Sequence, residues 1–373
     1  MDPRKLRLGL VFAAVAIALA FVLPLAAGEP SLRMQPIAWP EVAAAGLLFL
    51  LAAWFADGRA TVPGLLGVVL AAAGSLILLR DPGIAGSAAG GFWAIGTAVW
   101  LASAMSVVSL AAMRPIRAER RRALNLLVPL LFGAVVFYLW EVAVRGFGVP
   151  PVLMPAPSAA SARFMTSLPT LGADFFQTFV KGVLIGYVIG CGAGLLVAIL
   201  AHRFEFLGRG LLPLGNFFSA LPLVGIAPIM VMWFGFDWPS KAAVVALVTF
   251  FPMLVNALAG LSASGHIERD LMRSYAANHS QSLTKLYLPA ALPFIFNALK
   301  INATLALIGA IVAEFFGTPT QGIGFRISTE AGRMAIDMVW AEIALAALAG
   351  MAFYGLVTLA ERATTFWHPS YRT

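Results

Sequence analysis

The feature that most constrains this chain is a series of apolar stretches, each about 20 residues long, which recur along its whole length. A helix of that length crosses the hydrocarbon core of a bilayer. The composition agrees, because 61% of the residues are hydrophobic and only 11% are charged, against about 25% charged in a typical soluble domain. We therefore predict an all-α membrane protein with about ten transmembrane helices, near residues 8–27, 39–56, 62–79, 92–112, 124–144, 179–201, 212–234, 242–263, 293–316 and 339–361.

The basic residues lie between these stretches, and the densest run, at 114–122, follows the fourth one. Cytoplasmic loops of membrane proteins carry an excess of Lys and Arg. With the N-terminus inside, 16 of the 25 Lys and Arg residues fall on the inner side and 8 on the outer side, with Lys300 within a span. The excess predicts that both termini are cytoplasmic. It also accounts for the net charge of +8 without a nucleic-acid partner.

Several kinds of site are absent from the sequence. The single cysteine, Cys191, excludes an intramolecular disulfide and a multi-cysteine metal site. No Gly-x-x-x-x-Gly-Lys-Ser/Thr stretch occurs, so the chain lacks the loop that would let it use ATP alone. The four histidines are scattered and do not form a His-Glu-x-x-His cluster. We expect no cofactor or metal on this chain, and no enzymatic activity.

Composition changes at the basic segment 113–123. The four spans before it hold few polar residues, whereas the six after it are interrupted by Pro, Gly, Asn and Ser. We predict an N-terminal extension with a cytoplasmic linker (1–123), a six-helix transport core (124–365) and a cytoplasmic tail (366–373). No internal repeat is visible, and six spans are few to enclose a pathway, which favours a dimer.

The connection 264–292 is polar, lies on the positive side and is long enough for two short helices. The second is expected to end before Pro289, because a residue before proline disfavours the helical conformation. Leu271, Tyr275, Leu283 and Leu286 recur at helical spacing and give one apolar face. An ordinary amphipathic connection lying on the membrane surface would show the same sequence pattern.

This connection resembles the cytoplasmic signature of bacterial binding-protein-dependent ABC importers. The signature reads Glu-Ala-Ala, three residues, Gly, nine residues, Ile, one residue and Leu-Pro. Counting back from Leu288-Pro289, this sequence has Leu286 for the Ile, Ala276 for the Gly and 270–272 for the Glu-Ala-Ala. Ala in place of Gly removes the option of a positive φ at that turn.

Further segments resemble the nitrate, sulfonate, taurine and bicarbonate branch of that superfamily. They include Trp140-Glu141 and a third core helix interrupted by Pro222 and Pro228. The resemblance covers about residues 124–365, and its segments are 140–145, 149–158, 218–235, 250–261, 288–293, 311–314 and 322–324.

The resemblance implies a permease subunit of the bacterial inner membrane for a small solute such as nitrate, a sulfonate, taurine, bicarbonate or a pyrimidine-type compound. Its partners would be two ATPase subunits that bind ATP and Mg, a second permease copy and an extracytoplasmic solute-binding protein at 147–176 and 317–338. The connection would form a coupling helix that docks on an ATPase. Its centre would be Asp270, Arg273, Ser274, Ala276, Ala277 and Asn278.

Five residues are candidates for the transport pathway or its gate: Ser219, Pro222, Asn256, Asn302 and Glu314. Glu314 is an ionisable residue near the end of the ninth span, where burial is costly. It could instead reach interfacial water or pair with an arginine such as Arg326. Asn302 could instead hydrogen-bond between helices. Pro222 predicts a kinked helix.

Two further interpretations remain open. Glycines at four-residue spacing in the sixth span (182, 186, 190, 194) and Gly192 indicate close helix packing, which could lie at a dimer seam. An ion- or proton-coupled secondary carrier would be expected to show charged relay residues inside several spans, and the core has few. An intramembrane enzyme would need paired ionisable groups at matching depth in two spans, and no such pair is found in the sequence. The substrate, the role of the N-terminal helices and the choice between homodimer and heterodimer stay open.

Overall fold

The computed structural model describes residues 3–27, 38–55, 61–112, 118–219, 222–317 and 320–367. Over these ranges the chain is helical, without a β-strand, and has one isolated bridge between Ala26 and Ala88. The all-α prediction is confirmed. The α-helices are α1 Pro3–Val22, α2 Trp39–Phe55, α3 Thr61–Leu78, α4 Gly90–Ala112, α5 Ala118–Gly146, α6 Pro157–Thr166, α7 Leu168–Phe175, α8 Ile185–Arg203, α9 Glu205–Ser219, α10 Leu223–Phe234, α11 Trp238–Leu261, α12 His266–Ser274, α13 His279–Ser282, α14 Leu288–Glu314, α15 Ile323–Gly332 and α16 Ile336–Thr364.

Seven helical stretches of the described chain are long and apolar enough to cross a membrane, judged by length and composition. They are Lys5–Val22, Gly90–Ala112, Arg121–Gly146, Leu168–Arg203, Trp238–Leu261, His279–Glu314 and Ile336–Thr364. Two are continuous because π segments, Phe176–Leu184 and Leu283–Tyr287, join α7 to α8 and α13 to α14. Three shorter apolar helices, α2, α3 and α10, account for the other predicted spans. The chain is a multi-pass membrane protein.

The seventh predicted span, 212–234, is two helices in the structure. α9 ends at Ser219 and α10 begins at Leu223. Pro222 is the N-cap of α10 and has an extended ψ of 118°. Proline has no N–H with which to continue a helix, and it disfavours the helical conformation in the residue before it. The predicted kink at Pro222 is therefore a helix boundary.

Residues 1–161 form one compact unit. In it α1, α2, α3 and α4 enclose an apolar core that includes Leu10, Phe49, Phe92 and Ile95, all of which are buried. The four helices predicted before residue 113 therefore share one core, to which Val142 of the following helix also contributes.

α5 also belongs to this first unit, although the change of composition divides the sequence at 113–123. Trp93 of α4 stacks on Phe147, which follows α5, with ring centroids 4.3 Å apart. Gly86 N donates to Arg145 O at 2.9 Å. Such contacts depend on packing between distant residues, which a composition change cannot reveal. Linker residues 113–117 and tail residues 368–373 lie outside the described ranges.

Two segments that carry the family resemblance meet within the first unit. Glu141 accepts hydrogen bonds from Ser158 N at 2.9 Å and from Ser158 Oγ at 2.7 Å. Arg145 Nε lies 2.6 Å from Glu141 Oε1. Because Ser158 is in the first turn of α6, Glu141 satisfies an N–H that has no partner inside that helix.

Residues 162–373 form a second compact unit, in which α11 packs between α8 and α14. The approach of α8 to α11 requires glycine. A Cβ added at Gly186 would lie 2.5 Å from Ala242 O, and one added at Gly194 would lie 2.6 Å from Phe250 O. These glycines therefore pack within the chain and not at a dimer seam. Gly192 differs, because a Cβ there would meet nothing within 4 Å.

Candidate functional site

α12 stands apart from the core of the second unit, since none of its residues is buried. Ile267, Leu271 and Tyr275 follow one another at four-residue spacing and are 83%, 55% and 78% exposed. Residues four apart lie on one side of a helix. We call these three residues the α12 face. Ile267 was not part of the apolar face expected from the sequence.

The predicted coupling residues lie along α12 and the turn that follows it. Asp270 and Arg273 form an exposed pair, with Oδ1 and Nη1 3.5 Å apart. Ser274 Oγ donates to Leu271 O at 2.8 Å. The structure places these residues at one exposed end of the second unit, and their contact with an ATPase stays a prediction.

The turn after α12 is a Schellman motif with alanine in the usual glycine position. Ala276 N donates to Arg273 O at 2.9 Å and Ala277 N donates to Met272 O at 3.0 Å, which is the pattern of that motif. Ala276 has a φ of +50°. The sequence-based expectation that Ala276 abandons a positive φ is therefore wrong. The two cap hydrogen bonds hold the backbone in the left-handed region despite the Cβ.

Asn278 begins the next helix with a capping box. Its Oδ1 accepts from Gln281 N at 2.9 Å, and Gln281 Oε1 accepts from Asn278 N at 2.9 Å. The helix does not end before Pro289, as the sequence suggests, but continues from His279 to Glu314. The π segment Leu283–Tyr287 lies immediately before this proline. A changed hydrogen-bond ladder at that point accommodates a residue without an N–H.

Glu314 lies at the other end of α14 and is almost fully buried, at 3% exposure. Thr178 Oγ1 donates to Glu314 Oε1 at 2.8 Å, and Gly324 N donates to Oε2 at 2.7 Å. Thr178 Oγ1 also accepts from Ile323 N at 2.8 Å. The carboxylate therefore holds the first turn of α15.

Asp174 completes this arrangement. It is fully buried, and its Oδ1 accepts from Gly322 N at 2.7 Å. Arg326 Nε donates to Asp174 Oδ2 at 2.9 Å, so Arg326 pairs with Asp174 rather than with Glu314. Asp174, Thr178 and Glu314 thus accept three consecutive backbone N–H groups at the N-terminus of α15, which no helix can satisfy itself. We call these three residues the α15 clamp.

Lys241 ties the neighbouring loops together. It is buried, and its Nζ donates to Phe236 O at 2.6 Å, to Ser240 Oγ at 3.2 Å and to Gly317 O. The first oxygen precedes α11 and the last follows α14. A buried ammonium group needs such acceptors because it has lost its hydration.

Two ionisable groups near the clamp lie outside the membrane-spanning stretches. The backbone N–H of Trp238, assisted by the amide of Gln177 and by nearby lysines, holds the pKa of Asp237 below its usual range. The hydrogen bond to Asp174 raises the pKa of Arg326. Both groups are therefore charged at neutral pH.

The other predicted pathway residues are in different places. Asn302 is fully buried, and its Nδ2 donates to Thr249 O at 2.7 Å and lies 3.2 Å from Cys191 Sγ. It therefore links α8, α11 and α14, which favours the interhelical role over pathway lining. Asn256 accepts from Asn297 Nδ2 at 3.4 Å, between α11 and α14. Pro222 is exposed, and the side chain of Ser219 lies outside the described atoms.

Asp174 and Thr178, the other two residues of the clamp, were not identified as candidates from the sequence. Asp174 offers a weak signal, since it is a charged residue directly before an apolar stretch. Thr178 offers none, because a threonine in a span usually bonds to its own helix. Their partners are 136 to 152 residues away in the chain.

Comparison with known proteins supplies the family. Residues 186–367 match the family described as binding-protein-dependent transport system inner membrane component. The matched residues, just under half of the chain, are similar to that family. The match begins in α8 and runs through α12, the clamp's Glu314 and α16, so it includes both ends of the second unit.

Relatives with assigned roles are transport permeases. The formylaminopyrimidine transport permease protein ThiX of Halalkalibacterium halodurans is 29% identical over 247 residues, which are 66% of this chain and 98% of the relative. The taurine transport system permease protein TauC of Escherichia coli is 28% identical over 283 residues, 71% of this chain and 98% of the relative. The putative aliphatic sulfonates transport permease protein SsuC of Bacillus subtilis is 29% identical over 246 residues, which are 65% of this chain and 88% of the relative. The predicted resemblance to ABC importer permeases of the sulfonate and taurine branch is confirmed.

Proposed function

We propose that the chain is the membrane-spanning permease subunit of an ATP-driven importer, and that α12 is the coupling helix through which a separate ATPase acts on it. The observation that carries the proposal is the α12 face, whose three apolar side chains are more than half exposed, two on the nine-residue helix and Tyr275 at its C-cap. A short helix that presents apolar residues at helical spacing is suited to a groove on a partner protein. ATP and Mg would bind to that partner.

α14 gives this contact a route through the second unit. From His279 to Glu314 the chain is helical for 36 residues, a length of about 54 Å at 1.5 Å per residue. The first turn of this continuous helix is α13, which follows the α12 turn, and its last residue, Glu314 of α14, belongs to the α15 clamp. A partner changes a conformational equilibrium only through contacts that differ between the two states. We propose that ATPase closure shifts α12 and that α14 transmits the shift to the α15 end, giving alternating access.

The proposed assembly contains two copies of this chain, two ATPase subunits and an extracytoplasmic binding protein that docks at 147–176 and 317–338. The excess of Lys and Arg on the α12 side supports cytoplasmic termini in a bacterial inner membrane. The named relatives handle a formylaminopyrimidine, taurine and aliphatic sulfonates. We therefore propose a small anionic or heterocyclic solute, with selectivity residing mainly in the binding protein.

Copurification from the native host tests the proposal. The tagged chain, solubilised in mild detergent, is expected to retain an ATPase subunit, and Ile267→Arg is expected to lose it because a charge would enter the apolar contact. Met334→Arg is the matched control, since Met334 is also an exposed apolar residue, at 66%, but lies after α15. Retention of the ATPase by Ile267→Arg would contradict a docking role for α12. Absence of any ATPase from the native chain would favour the ion- or proton-coupled carrier.

A further inference from the structure

An open groove on the first unit lies between the first turns of α1 and the last turns of α2. It is lined by Arg7 and Val11 from α1 and by Leu50, Ala53 and Trp54 from α2. Its volume is about 610 Å³, within the range of about 300–1,000 Å³ that ligand pockets occupy. Arg7 is charged and the other four lining residues are apolar or aromatic, so the groove is amphipathic.

The two helices that form the groove run antiparallel. A Cβ added at Gly46 would lie 3.0 Å from Ile17 Cγ2, so these two residues face each other. Arg7 precedes Ile17 in the chain, whereas Trp54 follows Gly46, and both line the groove. The start of α1 therefore lies beside the end of α2.

This end of the two helices coincides with the edge of their apolar stretches. No charged residue occurs in 8–28, which begins directly after Arg7, or in 42–56, which ends two residues after Trp54. A charged residue at the start of an apolar span lies at the boundary of the hydrocarbon core, and Trp is enriched at that boundary. The part of the groove beyond Arg7 and Trp54 is therefore at the depth of the lipid acyl chains.

Arg7 is exposed and has no counter-charge in the described part of the chain, where no carboxylate lies within ion-pair distance of it. Lys5, also exposed, adds positive charge to the same end of α1. A guanidinium group stays charged and can donate two parallel N–H bonds to a phosphate group. The groove thus joins a cation suited to a phosphate with apolar walls suited to hydrocarbon.

We propose that this groove binds an anionic phospholipid, with the phosphate on Arg7 and one acyl chain along Val11 and Leu50. The indole of Trp54 lies beside the glycerol region, where one end of the ring meets apolar groups and the other meets water. Basic pockets between transmembrane helices bind lipid headgroups in this way. The lipid fills the groove between α1 and α2 and so fastens the first unit to the bilayer.

The other possible occupants fit the groove less well. A zwitterionic lipid carries a cation in its headgroup, which the charges of Arg7 and Lys5 repel. A free phosphate ion would use Arg7 and leave the apolar walls uncovered. A second copy of the chain, packed through the same face, would bring the like charges of two Arg7 side chains together.

Native mass spectrometry of the purified full chain tests the site. The chain is mixed in mild detergent with equal amounts of phosphatidylglycerol and phosphatidylcholine that carry the same acyl chains. The native chain is expected to retain phosphatidylglycerol in preference, and Arg7→Gln is expected to reduce that preference about fivefold. Equal retention of the two lipids by the native chain would overturn the proposal.

Lys5→Gln is the matched control. It removes the same charge from the same exposed end of α1, but Lys5 does not line the groove. This variant is expected to keep most of the preference for phosphatidylglycerol. An equal loss in Lys5→Gln and Arg7→Gln would overturn the proposal, because the attraction would then be a general effect of the basic N-terminal residues.

Val11→Trp tests the acyl part of the site, because the larger side chain fills the groove and leaves Arg7 in place. Val11 is exposed, so the replacement does not enter the core of the first unit. Retention of phosphatidylglycerol is expected to fall, and unchanged retention would overturn the proposal. So would displacement of the lipid from the native chain by inorganic phosphate, which would indicate a site for a free anion.

A cross-linking measurement in native membranes addresses the second copy. Trp54→Cys is expected to give no disulfide between two chains, since a lipid covers the groove. A disulfide-linked pair of chains would overturn the proposal, because the groove would then be an interface between copies.

Discussion

Ala276 shows how hydrogen bonds can override a residue's own backbone preference. The left-handed region costs an L-residue about 1–2 kcal/mol, yet Ala276 adopts it because the Schellman turn satisfies two carbonyl groups at the end of α12. The spacing of the signature located this turn correctly. The alanine side chain led to a wrong prediction of the φ angle, because the hydrogen bonds of the helix cap require a positive φ whichever residue is present.

Ala276→Gly is expected to stabilise the chain by about 1 kcal/mol, since glycine adopts the same φ without a Cβ clash. The midpoint of thermal unfolding should rise by a few degrees, measured on the detergent-solubilised chain. Ala277→Gly is the control, because Ala277 has no positive φ and gains only disorder in the unfolded state. An equal or lower midpoint for Ala276→Gly would show that the left-handed turn is not formed.

Thr178 is the member of the α15 clamp with the sharpest test. Thr178→Val keeps the shape but removes the acceptor that Ile323 N uses and the hydrogen bond that Thr178 donates to Glu314 Oε1. Each buried group that loses its partner costs about 1–3 kcal/mol, so the unfolding midpoint should fall by several degrees. Thr329→Val removes only bonds to carbonyls of its own helix and should leave it nearly unchanged. Equal midpoints for the two variants would contradict the clamp.

At the scale of elements, hydropathy locates the helices but not how they join. The ten spans follow from local composition, because each must cover the same apolar thickness. The continuous helix through Pro289 and the boundary at Pro222 could not be told apart from the sequence. Both positions carry a proline, and the sequence does not reveal that a π segment precedes Pro289 whereas a helix boundary lies at Pro222.

The pairing of α8 with α11 gives a test at this scale. A Cβ at Gly190 would overlap Thr249 Oγ1 and Ala246 O, whereas one at Gly192 would meet nothing within 4 Å. Gly190→Ala should destabilise the chain by about 1–3 kcal/mol through overpacking. Gly192→Ala should be neutral or stabilising by up to about 1 kcal/mol. The measurement is the fraction of each variant that stays monodisperse after mild heating. A larger fraction for Gly190→Ala than for Gly192→Ala would contradict this packing.

At the scale of the whole molecule, the division of the chain is set by contacts between distant residues. The sequence separates an extension from a transport core at 113–123, while the compact units divide after Ser161 because α5 packs with α4. The second unit alone carries α12, α14 and the α15 clamp. The functional proposal therefore rests on the second unit, and the role of the first unit is not derivable from the transport family.

The central claim is that α12 docks on an ATPase, and cysteine cross-linking in native membranes tests it most directly. Cys191 is the single cysteine of the chain and is buried, so an introduced cysteine on the surface is the reactive one. Tyr275→Cys is expected to cross-link to an ATPase subunit identified by mass spectrometry, and Met334→Cys, at the α15 end, is not. Cross-linking of Met334→Cys but not Tyr275→Cys to the ATPase, or no ATPase adduct with Tyr275→Cys, would contradict the account.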